Sequence, residues 1–165
     1  MSLSDTDRKY LDLAIEQARI GWDEGGVPIG AALVHFGPEG ERVLAVGRNR
    51  RVQQNSAIRH GETDCLENAG RLPAAVYREC VLYTTLSPCT MCAGTAILYD
   101  IPRIVIGEHR NFEASEEWLR SNGVELTIAD DPACIELMER MLNERPEIWA
   151  EDIGVESSEL SSSGL

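Results

Sequence analysis

From Glu79 onward the chain alternates between two kinds of segment. ECVLYTTL, PRIVIG and VELTIAD are short runs dominated by apolar and β-branched residues, and they read as strands. SPCTMCAGTAILY, EASEEWLRSNG and PACIELMERMLNE follow them in turn and read as helices, the first opening at Pro88 and the last after Asp130-Asp131. Parallel strands need a crossover between them, usually a helix. Strand, helix, strand, helix, strand, helix is therefore the pattern of crossover units on a mostly parallel sheet, with helices covering its faces.

The first half of the chain adds to that core. From Asp7 to about Glu24, Leu11, Ile15, Ala18 and Trp22 recur at helical spacing, with an Asp available as N-cap and Gly25-Gly26 to stop the helix. VPIGAALVHF and RVLAVGRN, separated by the turn-rich GPEGE, read as two paired strands. RHGETDCLENAGRL reads as a helix with Cys65, Leu66 and Ala69 on one buried side and Gly70 near its end. The sum is an α/β fold on one sheet of about five strands. At 165 residues the chain fits one domain, expected over 1–154. The serine-rich tail VESSELSSSGL, residues 155–165, buries little and is expected to be disordered.

Charge and cysteine content narrow the function. Five cysteines are an odd number, and MSLSDTDRKYLDL has acids and a lysine where a signal peptide has an apolar run. A cytoplasmic protein with reduced thiols is expected. No apolar segment approaches the roughly 20 residues that cross a bilayer, so a membrane is not an expected partner. The net charge of −13 and pI of about 4.6 repel phosphate backbones, which argues against nucleic acid. Arg48, Arg50, Arg51 and Arg59 form a local basic cluster. It reads as a solvated loop face, with an anion site or a patch steering a neighbouring subunit as alternatives.

SPCTMC, Ser87 to Cys92, lies where a buried strand gives way to a helix. Cys89 and Cys92 are i and i+3 on that first turn, so both sulfurs can close on one ion. The positive end of the helix dipole also favours thiolates there. A redox dithiol or two core cysteines would show the same C-x-x-C. His60-Gly61-Glu62, opening the preceding helix, favours the metal reading over these: His60 is the candidate third ligand and Glu62 the candidate general acid or base over the open position, whereas a redox dithiol would leave both without a role. One histidine and two cysteines leave the fourth tetrahedral position to water, as in catalytic zinc sites. Zinc lowers the pKa of such a water to about 7. H-x-E followed by P-C-x-x-C is the zinc deaminase signature. Cys65, Cys80 and Cys134 lack such partners and read as small buried hydrophobes.

GGVPIG, HGETDCLENAGRL, VLYTTLSPCTMC, NFEASEEWL and ERPEIWAEDIG resemble the corresponding parts of the fungal-type cytosine deaminases of the cytidine deaminase-like superfamily, from the first helix to about Gly154. The resemblance implies a three-layer α/β/α sandwich with a mixed sheet, a homodimer and one Zn2+ per subunit. It implies hydrolysis of a cyclic amidine C–N bond in a free base, cytosine to uracil with release of ammonia. His60, Cys89 and Cys92 match the zinc ligands, and Glu62 matches the carboxylate that shuttles protons. Asn49 matches an asparagine that hydrogen-bonds the base, its amide suited to a carbonyl beside an N–H. The backbone at Gly61 and Ser87 lines the same pocket, Phe112 and Trp149 match its aromatic walls, and Asp152 matches an acceptor for the exocyclic amine.

Two departures bear on substrate choice. Ala150 stands where the fungal pattern has an aromatic residue, and His109-Arg110 replaces a less basic pair. Both are expected to retune the pocket or its mouth. The alternatives are a deaminase of another small amino-heterocycle such as guanine or creatinine, a transfer-RNA adenosine deaminase, and a non-catalytic zinc-stabilised binding module. The transfer-RNA reading is weakened by the acidic charge.

Overall fold

Ser4 starts the first helix, α1 (Asp5–Asp23): its Oγ accepts the Asp7 N–H at 3.1 Å, satisfying one of the donors that a helix start leaves free. The cap is thus a serine and not the expected aspartate, because Asp7 is turned to Arg103 and Tyr83. Tyr10, Leu11, Ala14, Ile15, Ala18 and Trp22 make one buried stripe along α1. Gly25, at φ +86, takes the chain out of the helix in a conformation that favours glycine.

The computed structural model describes residues 3–160. After α1 come β1 (Gly30–Gly37) and β2 (Gly40–Arg48), a short α2 (Arg51–Gln54), α3 (Gly61–Ala69) and a turn of helix α4 (Ala74–Tyr77). Next are β3 (Cys80–Leu86), α5 (Thr90–Leu98), β4 (Arg103–Glu108), α6 (Glu116–Ser121) and β5 (Glu125–Ile128). The chain then continues through α7 (Pro132–Glu144), α8 (Pro146–Asp152) and a last turn, α9 (Ser157–Leu160).

The strands lie in the order β2-β1-β3-β4-β5. β1 runs antiparallel to β2 and β3, while β3, β4 and β5 are parallel. The sheet is mixed: the crossover half is parallel as the alternation requires, and the hairpin half is not. Side chains alternate across it. Ala31, Leu33, Leu82, Ile104 and Ile106 bury one face against Cys65 and Leu66 of α3, Ala93 and Ala96 of α5 and Leu119 of α6. Ala32, Val34, Tyr83 and Val105 bury the other against α1 and Cys134 of α7. This is the three-layer α/β/α sandwich. At one end Trp22, Ile29, Leu86, Met138, Met141 and Trp149 form a third apolar cluster that seats α8.

The helix after β3 begins later than its sequence suggests. Cys89 is the N-cap of α5, with extended backbone (φ −69, ψ 173), so Pro88 precedes the helix. The expected tail over 155–165 lies partly outside the described residues; within them, α9 brings Leu160 onto the third cluster. No helix of the described residues is long and apolar enough to cross a membrane.

Candidate active site

Two helix starts meet beyond the end of the central strand β3. His60 is the N-cap of α3 and Cys89 the N-cap of α5, both extended and neither using its side chain to cap its own helix. Their side chains are thus free to face each other, and the positive ends of both helix dipoles converge on the same spot. His60 Nδ1 lies 3.4 Å from Cys89 Sγ, and the donor atoms of His60, Cys89 and Cys92 all lie within 4.8 Å of one another. Tetrahedral zinc with bonds of about 2.3 Å to sulfur and about 2.0 Å to nitrogen needs an N···S separation of about 3.5 Å. The set fits zinc, and three protein donors leave one coordination position open.

The protons of the trio are arranged unevenly. The hydrogen bond with Cys92, helped by His60, holds the Cys89 thiol down to about 4 against the opposing effect of burial. Cys92 is pushed well above its ordinary value by that same bond and by burial. Burial pushes His60 down, but the Cys89 sulfur and the Asp152 carboxylate outweigh it and raise the ring to about 9. Metal uptake needs both sulfurs deprotonated and the imidazole neutral, and so releases protons from this trio.

Glu62 follows in the first turn of α3 and is buried. Its Oε1 accepts from Thr84 Oγ1 at 3.1 Å, although Leu86 O, at 3.2 Å, competes for the same proton. Burial, and next the negative Cys89, push the Glu62 carboxyl up. A carboxyl raised in this way is suited to exchanging protons near neutrality.

His60, Glu62, Ser87, Cys89, Phe112, Trp149 and Asp152 line one small buried cavity, completed by Ile29, Leu86 and Ile153. Phe112 meets Trp149 edge to face, centroids 5.4 Å apart. Outside this wall lies a more open hollow of about 440 Å3 that shares His60, Cys89, Phe112, Asp152 and Ile153 with the inner cavity. The Asp152 carboxylate is buried; its Oδ1 accepts from Asn49 Nδ2 at 2.7 Å and its Oδ2 stands 3.6 Å from His60 Nε2. Burial pushes its carboxyl up, opposed by His60, Asn49 and Arg51.

Asn49 and Gly61 stand directly behind the lining. Asn49 Oδ1 accepts the Arg51 N–H at 3.1 Å, so this amide presents an N–H and not the donor and acceptor pair expected of it. A Cβ on Gly61 would stand 3.0 Å from Ile29 O, which explains how the start of α3 packs so close. The Ser87 N–H donates to Glu108 O and its Oγ to Glu116 Oε1, both at 3.0 Å.

The expected retuning residues do not face the cavity. Trp149, Asp152 and Ile153, spaced i, i+3 and i+4, present one side of α8 to it, and Ala150 is buried but off that side. His109 pairs with Glu116 at 2.9 Å and Arg110 with Asp130 at 3.1 Å. The four arginines are likewise not a solvated face. Arg48 binds Glu24, Arg50 and Arg59 flank the fully buried Asp64, and Arg51 faces Glu151 and Asp152. Cys65, Cys80 and Cys134 are buried as expected, and burial pushes the Cys80 thiol up to about 11.

Thr84, Ile29, Ile153 and Glu116 escaped the sequence reading. Only Ile153 left a local signal, its helical spacing from Trp149; Thr84 reaches the site from β3, Ile29 from the loop before β1 and Glu116 from the start of α6.

Residues 4–108 match the family model described as the cytidine and deoxycytidylate deaminase zinc-binding region. The chain is 47% identical over 148 residues, 90% of its length, to the cytosine deaminase of Candida albicans, covering 97% of that protein. It is 34% identical over 102 residues, 61% of each chain, to the tRNA-specific adenosine deaminase of Bacillus subtilis. Among solved structures, a tRNA:A34 deaminase superimposes with TM-score 0.66 at 27% identity, covering 79% of this chain and 99% of that one. The guanine deaminase of Nitrosomonas europaea superimposes with TM-score 0.65 at 24% identity, over 84% and 86% of the two chains, and speaks for the fold alone.

Proposed function

Because the chain belongs to the cytidine and deoxycytidylate deaminase family, we propose that it hydrolyses free cytosine to uracil and ammonia. The observation that carries this reading is the buried Glu62 carboxylate beside the His60, Cys89 and Cys92 donors in a small aromatic-walled cavity. Those three side chains hold Zn2+. When bound, the ion supplies Lewis acidity that makes a nucleophile of water near neutral pH.

The protein's own groups do the rest. Glu62 takes one proton of the attacking water and gives it to the ring nitrogen beside the amine-bearing carbon; it then takes the second, from the hydroxyl now on that carbon, and gives it to the departing amine as the carbonyl forms. Carbon–oxygen bond formation and carbon–nitrogen cleavage then balance as base plus water to oxo-base plus ammonia. Phe112 and Trp149 give the ring an apolar aromatic wall. The remaining N–H of Asn49 donates to the ring carbonyl, and Asp152 accepts from the exocyclic amine. Ser87 completes the pocket, with Gly61 packed directly behind its lining. Closure of α8 over this site excludes water and limits escape.

The internal pairing of Arg48, Arg50, Arg51 and Arg59 leaves no basic stripe for RNA there, which favours a free base over transfer RNA. A single domain over 1–154 carries the activity, in the cytoplasm. We read the exposed Ile58, Leu98, Tyr99 and Trp118 as part of a homodimer face.

Ammonia release by the zinc-loaded protein from cytosine, cytidine, guanine, adenine and creatinine tests the reading. Turnover of cytosine and not cytidine is expected. Deamination of another ring would keep the zinc chemistry and overturn the substrate; inactivity on the whole panel would overturn the enzyme.

A further inference from the structure

Arg51 reaches the site from a direction that the chemistry above does not use. It is the first residue of α2, and two of its own groups are anchored in the segment between β2 and α3. Its backbone N–H donates to Asn49 Oδ1 at 3.1 Å, and its Nε donates to Ala57 O at 3.2 Å. From that anchored position Nη1 stands 3.6 Å from Asp152 Oδ1 and Nη2 3.4 Å from Glu151 Oε1, both on α8. One guanidinium therefore joins the segment that carries Asn49 to the helix that covers the cavity.

The pairing is unequal in strength. The Arg51 side chain is 14% exposed and that of Asp152 1%, so their attraction is little screened. Glu151 is 72% exposed at its side chain and adds little. Asp152 belongs to a helix of seven residues, too short to hold itself in place. Its apolar anchors, Trp149 and Ala150, fix the helix to the core but do not set the rotation of the carboxylate. Asn49 does so by its hydrogen bond to Oδ1, and the Arg51 guanidinium, an ion pair 3.6 Å from that same oxygen, adds to it and leaves Oδ2 toward the cavity side and His60.

We propose that Arg51 is a positioning residue, which latches α8 over the cavity and aims the Asp152 carboxylate at the base by gripping its outer oxygen. The proposal rests on the cytosine deaminase reading for its kinetic part only; the latch itself is a property of the fold. Loss of this little-screened ion pair is expected to weaken closure by about tenfold.

The test compares zinc-loaded wild type, Arg51→Ala and Arg51→Lys by steady-state kinetics on cytosine and by hydrogen exchange of residues 146–153. For Arg51→Ala, KM for cytosine is expected to rise about tenfold, kcat to fall less than threefold, and exchange in 146–153 to accelerate about tenfold, with zinc content unchanged. Lysine meets one carboxylate at a time and cannot keep the Ala57 contact, so an intermediate KM is expected. A KM within twofold of wild type together with unaltered exchange would overturn the latch, as would a loss confined to kcat. Should Arg51→Ala fail to fold, Arg51→Gln carries the same comparison. A wild type inactive on cytosine would defeat the functional reading while the exchange measurement still decides the latch.

Discussion

Glu62 on α3 and Thr84 on β3 meet across the gap between helix and sheet, Thr84 Oγ1 standing 3.1 Å from Glu62 Oε1. Both are buried. The carboxylate is thereby held at the end of the sheet where β3 leads into Cys89, so that the proposed proton carrier and the metal donors share one rigid frame.

Glu62→Gln keeps the size of the side chain and removes its basicity. Turnover of cytosine is expected to fall by about 10^3 to 10^4, while zinc content by elemental analysis and the unfolding midpoint stay close to wild type. Near-normal turnover in that variant would exclude Glu62 as proton carrier.

Zinc ties the start of α3 to the start of α5. Its removal by a strong chelator is expected to abolish ammonia release and to lower the thermal midpoint, and added zinc to restore both. Cys92→Ala is expected to lose metal and activity together. A chelated protein that still turns over cytosine would refute the metal's role.

Asp7 links α1 to the sheet through Arg103: Oδ1 accepts from Nη1 and Oδ2 from Nη2, each at 2.9 Å, with Tyr83 OH adding a third bond at 3.0 Å. These bonds, the Arg103 pair foremost, hold the Asp7 carboxyl below its ordinary 3.8 despite burial. A carboxyl lowered on folding stabilises above its unfolded pKa and loses that contribution as pH falls through its folded pKa. Asp7→Asn is therefore expected to cost about 2 kcal/mol in urea unfolding at pH 7, with the gap closing below about pH 4. A gap that does not narrow in acid would show that the pair is not the cause.

Gly47 lets α3 lie against β2. A Cβ there would collide with Cys65 N and come within 2.6 Å of Cys65 Cα. Gly47→Ala must push away the helix that begins at His60, at an expected cost of about 2 to 3 kcal/mol by thermal or urea unfolding, with weaker zinc retention. An unchanged midpoint would mean that α3 can shift freely.

The chemistry-bearing residue types were legible in the chain because they sit at turns of known local geometry. His60, Glu62, Cys89 and Cys92 fall at two helix starts, and helix starts leave signals in a handful of neighbouring residues. The strand and helix alternation is equally local, since period 2 and period 3.6 are properties of single segments. The resemblance supplied Trp149, Asp152 and Phe112, which periodicity alone reads as packing or surface.

Only the tertiary structure decided what those residues face. The Asn49 to Asp152 bond spans 103 positions and the Arg51 to Glu151 bond 100, separations over which no local pattern carries information. The same holds for the arginines, whose charge looks like solvated surface until Asp64, Glu24 and Asp152 are brought against them. Ala150 differs from its expected role by its direction on α8, which depends on how that helix seats on the third cluster. Sequence determined which groups can do chemistry; packing determined which of their atoms remain free to do it, because each buried donor or acceptor is first claimed by its nearest partner.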